Sequence, residues 1–364
     1  MPTPSSLFDY VLPPERIAQH SAVPRDHSRL MVVDRGTGGW SHKKFFEIAD
    51  ELNAGDVLVL NNTKVFKARL QGTVDEKEIE LFLLRPLDED GNKSVWEAMA
   101  KPGRRLNLRS KIILSPTLYA VAIKKTDTFQ VQFNATIDHV FSYADKHGEI
   151  PVPPYVDEKP AELDQYQTVY ARERGSVAAP TAGFHFTDTL IATLKSKGVQ
   201  FEFVTLHVGL GTFRPMKSET IEEHVMHEEW VDVSAEVAGR INQAKAEGRR
   251  VIAVGTTTVR VLEGSLQRAA GSLQLEEESS STGLPAVSCL LPASGYTGPI
   301  NLFITPGFNF KIIDGLITNF HLPKSTLLVL VSSFLGREKT LACYQEAIKE
   351  GYRYYSFGDA MFIR

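Results

Sequence analysis

The stretch VIAVGTTTVR (Val251–Arg260) joins a run of four apolar residues to a glycine, three threonines and an arginine. A continuous apolar run of this length is typical of a strand buried on both faces of a sheet. The glycine and threonines that follow are typical of a turn that opens a helix. A strand that leads directly into a helix is the repeating unit of α/β proteins.

The same alternation of strands and helices continues on both sides of this stretch. Val57–Leu60 is a second continuous apolar run, and it ends in the polar triplet NNT. After about residue 156, strands predicted at Phe201–Val208 and Trp230–Val233 alternate with helices that Thr187 and Ser234 can cap. The pattern predicts an α/β domain, in which ligands bind in the loops at the carboxyl ends of the strands.

Residues 70–150 have a different pattern. Phe129, Val131 and Phe133 alternate with polar residues, which is the period of a half-exposed strand. Several other short segments there also read as strands, so we predict an all-β domain inserted into the α/β domain. The α/β domain then comprises residues 1–69 and 151–364, and the polar, acidic segment 264–284 is predicted to be a mobile surface loop.

The composition excludes some classes of function. The 364 residues carry a formal charge of −4, which argues against a protein that binds polyanions over its whole surface, although a local basic groove is compatible with it. Neither cysteine has a metal-like spacing, and the N-terminus lacks the pattern of a signal peptide. The most apolar run, Thr326–Leu335, is shorter than the ~20 residues of a membrane-spanning helix. We expect a soluble, cytoplasmic protein.

Seven short segments carry more polar functional groups than their predicted positions require. They are PRDHSRL (24–30), NNTKV (61–65), AAPTAGFHFT (178–187), HVGLGTFRP (207–215), HVMHEE (224–229), GTTTVR (255–260) and TNFHLPKST (318–326). Each could be explained singly by a turn or a helix cap. The GLG within 207–215 is too short for the dinucleotide fingerprint G-x-G-x-x-G, so it is a weak indication of a Rossmann site.

Two of these segments leave chemical alternatives open. GTTTVR either caps its helix or holds an anion with free backbone N–H groups, to which Arg260 adds a guanidinium. In HVMHEE, the residues His224, His227 and Glu228 have the spacing H-x-x-H-E, which differs from the H-E-x-x-H of zinc hydrolases. Hydrogen bonding to a ligand, or a solvated helix start, explains this segment better than a metal site does.

Two basic clusters border the predicted insert. Lys101–Lys111 contains five basic residues and no acidic one, and Lys64, Lys67 and Arg69 lie close to the start of the insert. Such runs are usually solvated faces, but two of them beside one module could form a local phosphate-binding surface.

Eight segments, in this order, closely resemble those of the S-adenosylmethionine:tRNA ribosyltransferase-isomerase (QueA) family. They are RDHSRL, GDVLVLNNTKV, AAPTAGFHFT, HVGLGTFRP, HVMHEE, GTTTVRVLE, TNFHLPKSTLL and YYSFGDAMFI, and the resemblance runs from about Leu12 to Ile363. It implies transfer and isomerisation of the ribosyl moiety of S-adenosylmethionine onto 7-aminomethyl-7-deazaguanine at the tRNA wobble position. The products would be epoxyqueuosine-tRNA, adenine and methionine.

The resemblance also implies an architecture and a cofactor requirement. The expected fold is an α/β domain around a partly open barrel, with an inserted all-β domain. The family is expected to use no metal, and no cofactor beyond S-adenosylmethionine as co-substrate.

The implied chemistry suggests roles for the polar segments. A sulfonium makes the neighbouring C5′ hydrogens acidic, and histidine is suited to remove one because its ordinary pKa is ~6.5. His185 is the leading candidate for this base, and the alternative is that it only orients a backbone group or a substrate hydroxyl. The predicted catalytic residues are His185, His207, His227 and Glu228.

The remaining polar residues are predicted to bind substrate or tRNA. The rings of Phe184 and Phe186 either stack on a base or, as the better explanation, pack in the core. The substrate-binding candidates are Arg25, Asp26, Asn61, Asn62, Thr63, Lys64, Thr181, Gly183, Phe184, Phe186, Thr187, Gly209, Gly211, Thr212, Phe213, His224, Thr256, Thr257, Thr258, Arg260, Asn319, His321, Lys324 and Ser325. The tRNA-binding candidates are Lys67, Arg69, Lys101, Arg104, Arg105 and Arg109.

Other classes of function compete with this interpretation. A metal-dependent hydrolase would use His224 and His227, and a non-catalytic RNA-binding protein would use the β-rich insert. A conventional methyltransferase is disfavoured because its glycine-rich strand-end loop with an acidic ribose ligand is missing. Metal analysis and an assay of adenine release separate these alternatives. We expect the protein to be a monomer.

Overall fold

The computed structural model describes residues 2–158, 160–209, 216, 218–226, 228–277 and 290–364, with the backbone alone for residues 269–277. The strands of the N-terminal half are β1 (Arg29–Val33), β2 (Trp40–Lys44), β3 (Val57–Asn61), β4 (Thr63–Val65), β5 (Arg69–Val74), β6 (Lys77–Asp90), β7 (Lys93–Lys101), β8 (Lys111–Ile113), β9 (Tyr119–Lys125) and β10 (Phe129–Phe133). The later strands are β11 (Glu173–Ser176), β12 (Gln200–Leu206), β13 (Glu229–Ser234), β14 (Val251–Val254), β15 (Gly295–Ile300), β16 (Gly315–Asn319) and β17 (Ala360–Ile363). The α-helices are α1 (Ile48–Glu51), α2 (Ile137–His147), α3 (Asp188–Ser196), α4 (Ala235–Ala246), α5 (Thr256–Glu277), α6 (Thr326–Leu335) and α7 (Arg337–Lys349).

One mixed sheet organises the α/β domain. Its strand order is β15-β13-β12-β3-β14-β16-β17-β1-β2 among the described residues. The central strands β12, β3, β14 and β16 are parallel, so their carboxyl ends lie along one edge of the sheet. The sheet is open, with β15 and β2 as its edge strands. The predicted α/β fold class is confirmed.

The central strands are buried on both faces, which explains their continuous apolar runs. In β3, Val57 and Val59 belong to the hydrophobic core that includes residues of α4, α5, α6 and α7. Leu58 and Leu60 belong to the core on the opposite side, which includes Leu190 of α3. Successive side chains of a strand point to opposite faces of the sheet. In a strand that lies between two cores, every side chain is therefore buried, and apolar residues are favoured at each position.

Strands β5 to β10 close into a barrel in the order β10-β7-β6-β5-β8-β9. All of its strand pairs are antiparallel. Phe129, Val131 and Phe133 are buried in its core together with Trp96, as their alternation with polar residues predicts. The insertion of a β-rich domain is confirmed, and its boundaries at residues 70 and 150 stay a prediction.

Two local predictions are wrong. The segment predicted to be all-β contains the helix α2, which Thr136 caps and whose residues Val140, Phe141 and Ala144 pack into the barrel core. The segment 264–284 is not a loop as far as it is described, because α5 continues to Glu277. Its leucine, glutamine, alanine and glutamate residues favour a helix despite the segment's polarity. Residues 278–284 lie outside the described residues.

The helix caps follow the predicted pattern. The side chains of Thr187, Ser234 and Ser325 each accept a hydrogen bond from the backbone N–H three residues later. Within the described part of the chain, none of the helices has both the length and the apolar character needed to traverse a bilayer.

Candidate functional site

A pocket lies at the carboxyl ends of β14 and β16. Its walls come from separated parts of the chain, namely residues 179–182, Val208, residues 255–257, residues 318–322, Ser325 with Leu327, and Tyr155 with Tyr355 and Ser356. Four of the polar segments singled out in the sequence contribute to these walls. They are AAPTAGFHFT, HVGLGTFRP, GTTTVR and TNFHLPKST. The pocket therefore occupies the sheet edge at which α/β proteins bind ligands.

The GTTTVR segment turns the chain from β14 into α5. Gly255 has a φ of +89°, a left-handed conformation that favours glycine, and its N–H donates to the Ile317 carbonyl of β16 at 2.7 Å. Thr256 and Thr257, in the first turn of α5, line the pocket. The first amides of a helix have no intrahelical acceptor, and the helix dipole is positive at this end. This wall therefore favours anionic or polar ligand groups.

A second helix, α6, also begins at the pocket. Its cap, Ser325, accepts a hydrogen bond from the Leu328 N–H at 3.1 Å and donates one to the Leu322 carbonyl at 2.8 Å. Ser325 therefore serves the helix start and the pocket wall at once. Lys324 is not among the lining residues, and its ammonium group pairs with Asp9 at 2.9 Å.

Asn319, the last residue of β16, presents a fixed amide at the pocket wall. Its side-chain nitrogen donates to the Tyr355 carbonyl at 2.7 Å, and its Oδ1 lies 3.4 Å from His185 Nε2. Because an amide nitrogen only donates and its oxygen only accepts, these two partners determine which way the amide faces.

His185 adjoins Asn319 but is not among the lining residues. Its Nδ1 lies 2.7 Å from the Ser28 hydroxyl, and its ring stacks on Phe45 with the centroids 4.9 Å apart. Burial lowers the pKa of His185 to about 4, so the imidazole is neutral at pH 7. One tautomer satisfies both contacts, with Nε2–H donating to Asn319 and Nδ1 accepting from Ser28. These contacts favour the alternative in which His185 orients another group.

His321 lines the pocket itself. Its Nε2 lies 2.8 Å from the Thr318 hydroxyl, and burial lowers the pKa of its ring to about 3. Among the described residues, its Nδ1 has no hydrogen-bond partner. A neutral imidazole that donates from Nε2 keeps Nδ1 available to accept a hydrogen bond or a proton.

His207 precedes a lining residue of the pocket and forms a hydrogen bond within the protein. Its Nδ1 lies 2.8 Å from the Thr63 hydroxyl, and burial lowers its pKa to about 4. The ring packs so closely on Gly175 that a Cβ there would lie 2.8 Å from Nε2. The lining residue Val208 follows it directly in the chain.

AAPTAGFHFT divides between the pocket and the core. Thr181 lines the pocket at the start of a short 3₁₀-helix. At Gly183, an added Cβ would lie 1.9 Å from the Tyr170 hydroxyl oxygen, so only glycine fits. Phe184 and Phe186 are 2% and 0% exposed and pack in two hydrophobic cores. Core packing, rather than stacking on a base, accounts for these two rings.

The polar residues of RDHSRL join separate loops. Arg25 donates to the backbone carbonyl of Gln167 at 2.6 Å, and its guanidinium lies over the Phe184 ring. Asp26 accepts a hydrogen bond from the Thr187 hydroxyl at 2.8 Å, which ties this loop to the start of α3. Neither residue belongs to the pocket lining.

The NNTKV segment fastens β3 to β12. The side-chain nitrogen of Asn61 donates to the Leu206 carbonyl at 3.0 Å, and its oxygen accepts from the Leu206 N–H at 3.1 Å. Asn62 accepts from the Thr205 hydroxyl at 2.8 Å. Lys64 is exposed. Sequence reasoning grouped these residues with the substrate site, and their contacts are internal.

The lining residues of the pocket do not include four further candidates from GTTTVR and HVMHEE, namely Thr258, Arg260, His224 and Glu228. Arg260 and Glu229 are both buried and form an ion pair, and the Thr258 hydroxyl donates to the Val254 carbonyl within the helix start. Glu228 is exposed, and the ring of His224 packs edge-on against Phe303. The residues described include no group of three His, Cys, Asp or Glu side chains arranged to hold a metal ion.

Several other predicted residues cannot be placed in this pocket. Gly209 is half-buried, and no atom of the described residues lies within 4 Å of where its Cβ would be. The candidates Gly211, Thr212, Phe213 and His227 lie outside the described residues.

The basic candidates in and beside the insert differ in solvent exposure and in whether they contact other protein groups. Lys101, Arg104 and Arg109 are exposed. The Arg105 guanidinium donates to the Glu78 carbonyl, Arg69 pairs with Glu80 at 2.8 Å, and Lys67 is half-buried. The exposed members are the ones available to a polyanion.

Three polar lining residues lie outside the seven polar segments and were not among the predicted site residues. They are Tyr155, Tyr355 and Ser356, and the Tyr155 hydroxyl lies 2.7 Å from the Ser356 hydroxyl. The YYSFGDAMFI segment, which contains two of them, contributed to the family resemblance, but no role followed from its letters. Tyrosines beside glycine and serine were the signal that could have placed this segment at a ligand site.

Comparisons with known proteins agree with the resemblance. The family described as queuosine biosynthesis protein matches residues 5–363. Proteins named S-adenosylmethionine:tRNA ribosyltransferase-isomerase from Carboxydothermus hydrogenoformans and Desulfitobacterium hafniense are each 47% identical, over 98% of this chain and 98% of their own. The crystal structure of S-adenosylmethionine tRNA ribosyltransferase from Thermotoga maritima is 35% identical, with a TM-score of 0.54 over 99% of this chain and 100% of that one. The chain therefore belongs to the queuosine biosynthesis protein family, in which these relatives are enzymes.

Proposed function

We propose that this protein transfers and isomerises the ribosyl moiety of S-adenosylmethionine onto 7-aminomethyl-7-deazaguanine at the tRNA wobble position. The products are epoxyqueuosine-tRNA, adenine and methionine. The enzyme acts in the cytoplasm as a monomer and needs no metal and no cofactor beyond its sulfonium co-substrate.

The observation that carries this proposal is the meeting of four polar family segments in one pocket at the carboxyl edge of the sheet. The names of the relatives supply the two substrates, S-adenosylmethionine and tRNA.

The methionine carboxylate is proposed to lie against the two helix starts. Thr256 and Thr257 open α5, and Ser325 caps α6, so both positive helix ends border the same pocket. The threonine hydroxyls also offer donors to the ribose. Arg260 is left out of this role because its guanidinium pairs with the buried Glu229.

Removal of the acidic C5′ proton beside the sulfonium requires a base in its unprotonated form, which for histidine is the neutral imidazole. His321 fits this role because it lines the pocket and its Nδ1 is free among the described residues. His185 is proposed instead as a positioning residue, since its ring nitrogens contact Ser28 and Asn319. Loss of adenine and attack by the tRNA amine follow in a site that must exclude water while reactive intermediates exist.

The exposed basic residues of the insert are proposed to hold the tRNA backbone. Lys101 is the last residue of β7, and Arg104 and Arg109 lie in the connection between β7 and β8. All three side chains are exposed. Contacts of this kind neutralise phosphates and make affinity depend on salt. An overall charge of −4 is compatible with such a local surface.

The direct test is to incubate the purified chain with S-adenosylmethionine and tRNA, and to separate the small-molecule products by chromatography. We expect adenine and methionine in equal amounts, formed with tRNA that carries 7-aminomethyl-7-deazaguanine and not with tRNA that carries guanine there. Release of S-adenosylhomocysteine would indicate a methyltransferase, and inhibition by chelators would indicate a metal enzyme. Tight tRNA binding without adenine release would indicate a non-catalytic RNA-binding protein.

A further inference from the structure

Tyr355 has an unusual backbone conformation. Its φ is +70°, in the left-handed region that non-glycine residues seldom adopt. The Tyr355 N–H donates to the Phe320 carbonyl at 3.0 Å, and its carbonyl accepts from the Asn319 side chain at 2.7 Å and from the Gly358 N–H at 3.1 Å. Residues held in such a conformation by surrounding contacts cluster at functional sites.

The contacts that hold Tyr355 connect it to His185. Asn319 donates to the Tyr355 carbonyl and accepts from His185, which in turn accepts from Ser28. The same pocket-lining asparagine therefore joins the buried histidine to the left-handed tyrosine. This arrangement places the Tyr355 side chain in the pocket wall, where it is 7% exposed.

The Tyr355 hydroxyl differs from those of the tyrosines around it. The hydroxyl of Tyr354 donates to the Tyr344 carbonyl at 2.7 Å, that of Tyr155 lies 2.7 Å from the Ser356 hydroxyl, and that of Tyr352 lies 2.8 Å from His42 Nδ1. Among the described residues, no group hydrogen-bonds to the Tyr355 hydroxyl.

Although the Tyr355 side chain is largely buried, its hydroxyl oxygen keeps some solvent access, so an acceptor atom of a ligand in the pocket can reach it. Burial raises the pKa of Tyr355 to about 12, so the hydroxyl keeps its proton at pH 7 and is a donor. The ring packs against Tyr155 with the centroids 4.7 Å apart, which limits how far the hydroxyl can move.

We propose that Tyr355 donates a hydrogen bond from its hydroxyl to an acceptor atom on the nucleoside part of bound S-adenosylmethionine. The nucleoside is the partner favoured by an aromatic wall that Tyr155 and Tyr355 share, since ligand pockets bind bases with apolar and aromatic surfaces and a few fixed polar groups. This inference rests on the proposed function, because it takes S-adenosylmethionine as the ligand of the pocket.

The test compares the wild-type chain with Tyr355→Phe and with the matched control Tyr354→Phe. Isothermal titration calorimetry measures the affinity for S-adenosylmethionine, thermal unfolding measures stability, and chromatography measures adenine release with modified tRNA. Tyr355→Phe keeps the ring and the backbone bonds, so we expect an unchanged melting temperature and S-adenosylmethionine binding weakened roughly 3- to 10-fold, the usual effect of one lost hydrogen bond. Tyr354→Phe, which loses an internal hydrogen bond, should bind with wild-type affinity.

The possible outcomes separate this inference from the proposed function. Wild-type affinity in Tyr355→Phe, with a wild-type protein that binds S-adenosylmethionine and releases adenine, overturns the inference alone. Equal weakening in Tyr354→Phe also overturns it, because a general disturbance of the segment would then explain the loss. A wild-type protein that neither binds S-adenosylmethionine nor releases adenine overturns the proposed function and this inference with it.

Discussion

Replacing His185 with phenylalanine should make the stability of the protein less sensitive to acid. Phenylalanine can still stack on Phe45, but it cannot take up a proton. Burial lowers the pKa of His185 to about 4 in the folded chain, whereas a histidine in an unfolded chain has a pKa of about 6.5. Between these two values the unfolded chain binds more protons, so the free energy of unfolding falls as the pH falls.

The size of the effect follows from the two pKa values. Between pH 7 and pH 5, the His185 contribution to the free energy of unfolding falls by roughly 2 kcal/mol. Burial lowers the pKa of His207 to about 4 and that of His321 to about 3, so each adds a fall of similar size. Together, His185, His207 and His321 should therefore lower the free energy of unfolding of the wild type by roughly 6 kcal/mol over this range, and the two that remain in His185→Phe should lower it by about a third less.

The substitution also has a cost that does not depend on these titrations. At pH 7, the hydroxyl of Ser28 and Oδ1 of Asn319 lose their hydrogen-bond partner, and a buried group left unpaired costs about 1–3 kcal/mol. The variant should therefore be less stable than the wild type at pH 7, and the difference should narrow as the pH falls to 5.

Urea unfolding of the full chain, followed by circular dichroism at both pH values, measures this difference. The control is His139→Gln, at an exposed position on α2, which leaves His185, His207 and His321 in place and should keep the wild-type pH dependence. If His185→Phe loses as much stability as the wild type between pH 7 and pH 5, then His185 is not held neutral by burial. In the reaction itself, a loss of adenine release as large as ~10²–10⁴-fold would favour a proton-transfer role for His185 over positioning.

Two further substitutions test the loop at Gly183 and the proposed tRNA surface. Gly183→Ala should reduce the free energy of unfolding by about 1–3 kcal/mol, and so lower the melting temperature, because the added Cβ would clash with the Tyr170 hydroxyl. An unchanged melting temperature would mean that the Tyr170 side chain moves aside without cost. Arg104→Gln combined with Arg109→Gln should weaken tRNA binding and reduce the slope of log affinity against log salt by about 1.4–1.8 for two phosphate contacts, measured by filter binding. Lys349→Gln, an exposed change at the end of α7, is the control for charge alone, and an unchanged slope in the arginine variant would remove this surface from tRNA binding.

Much of the α/β framework could be predicted because its signals are local. Continuous apolar runs mark strands that lie between two cores, as in β3 and β14, and Ser234 and Ser325 sit directly before the helices that they cap. The helix α2 also carries a local signal, with Thr136 as its cap and Val140, Phe141 and Ala144 on one face. This helix was not predicted from the sequence, because the strand patterns on its N-terminal side led the whole segment to be assigned as β-structure.

The site could be predicted only in part, because its geometry depends on tertiary contacts. The strand order brings AAPTAGFHFT, GTTTVR and TNFHLPKST to one pocket, and the α/β pattern anticipates this edge. The pattern could not indicate that Asn61 and Arg260 would be used by neighbouring protein groups. It also could not indicate the left-handed backbone of Tyr355, which the hydrogen bond from Asn319 supports.

The most direct test of the proposed reaction follows the ribose carbons. S-adenosylmethionine with ¹³C in its ribose is incubated with the wild-type chain and tRNA that carries 7-aminomethyl-7-deazaguanine, and the tRNA nucleosides are analysed by mass spectrometry. The proposal predicts all five labelled carbons in the modified nucleoside, with one adenine released for each nucleoside formed. Ribose label that stays entirely in small molecules, or a methyl group in the tRNA instead, would contradict it.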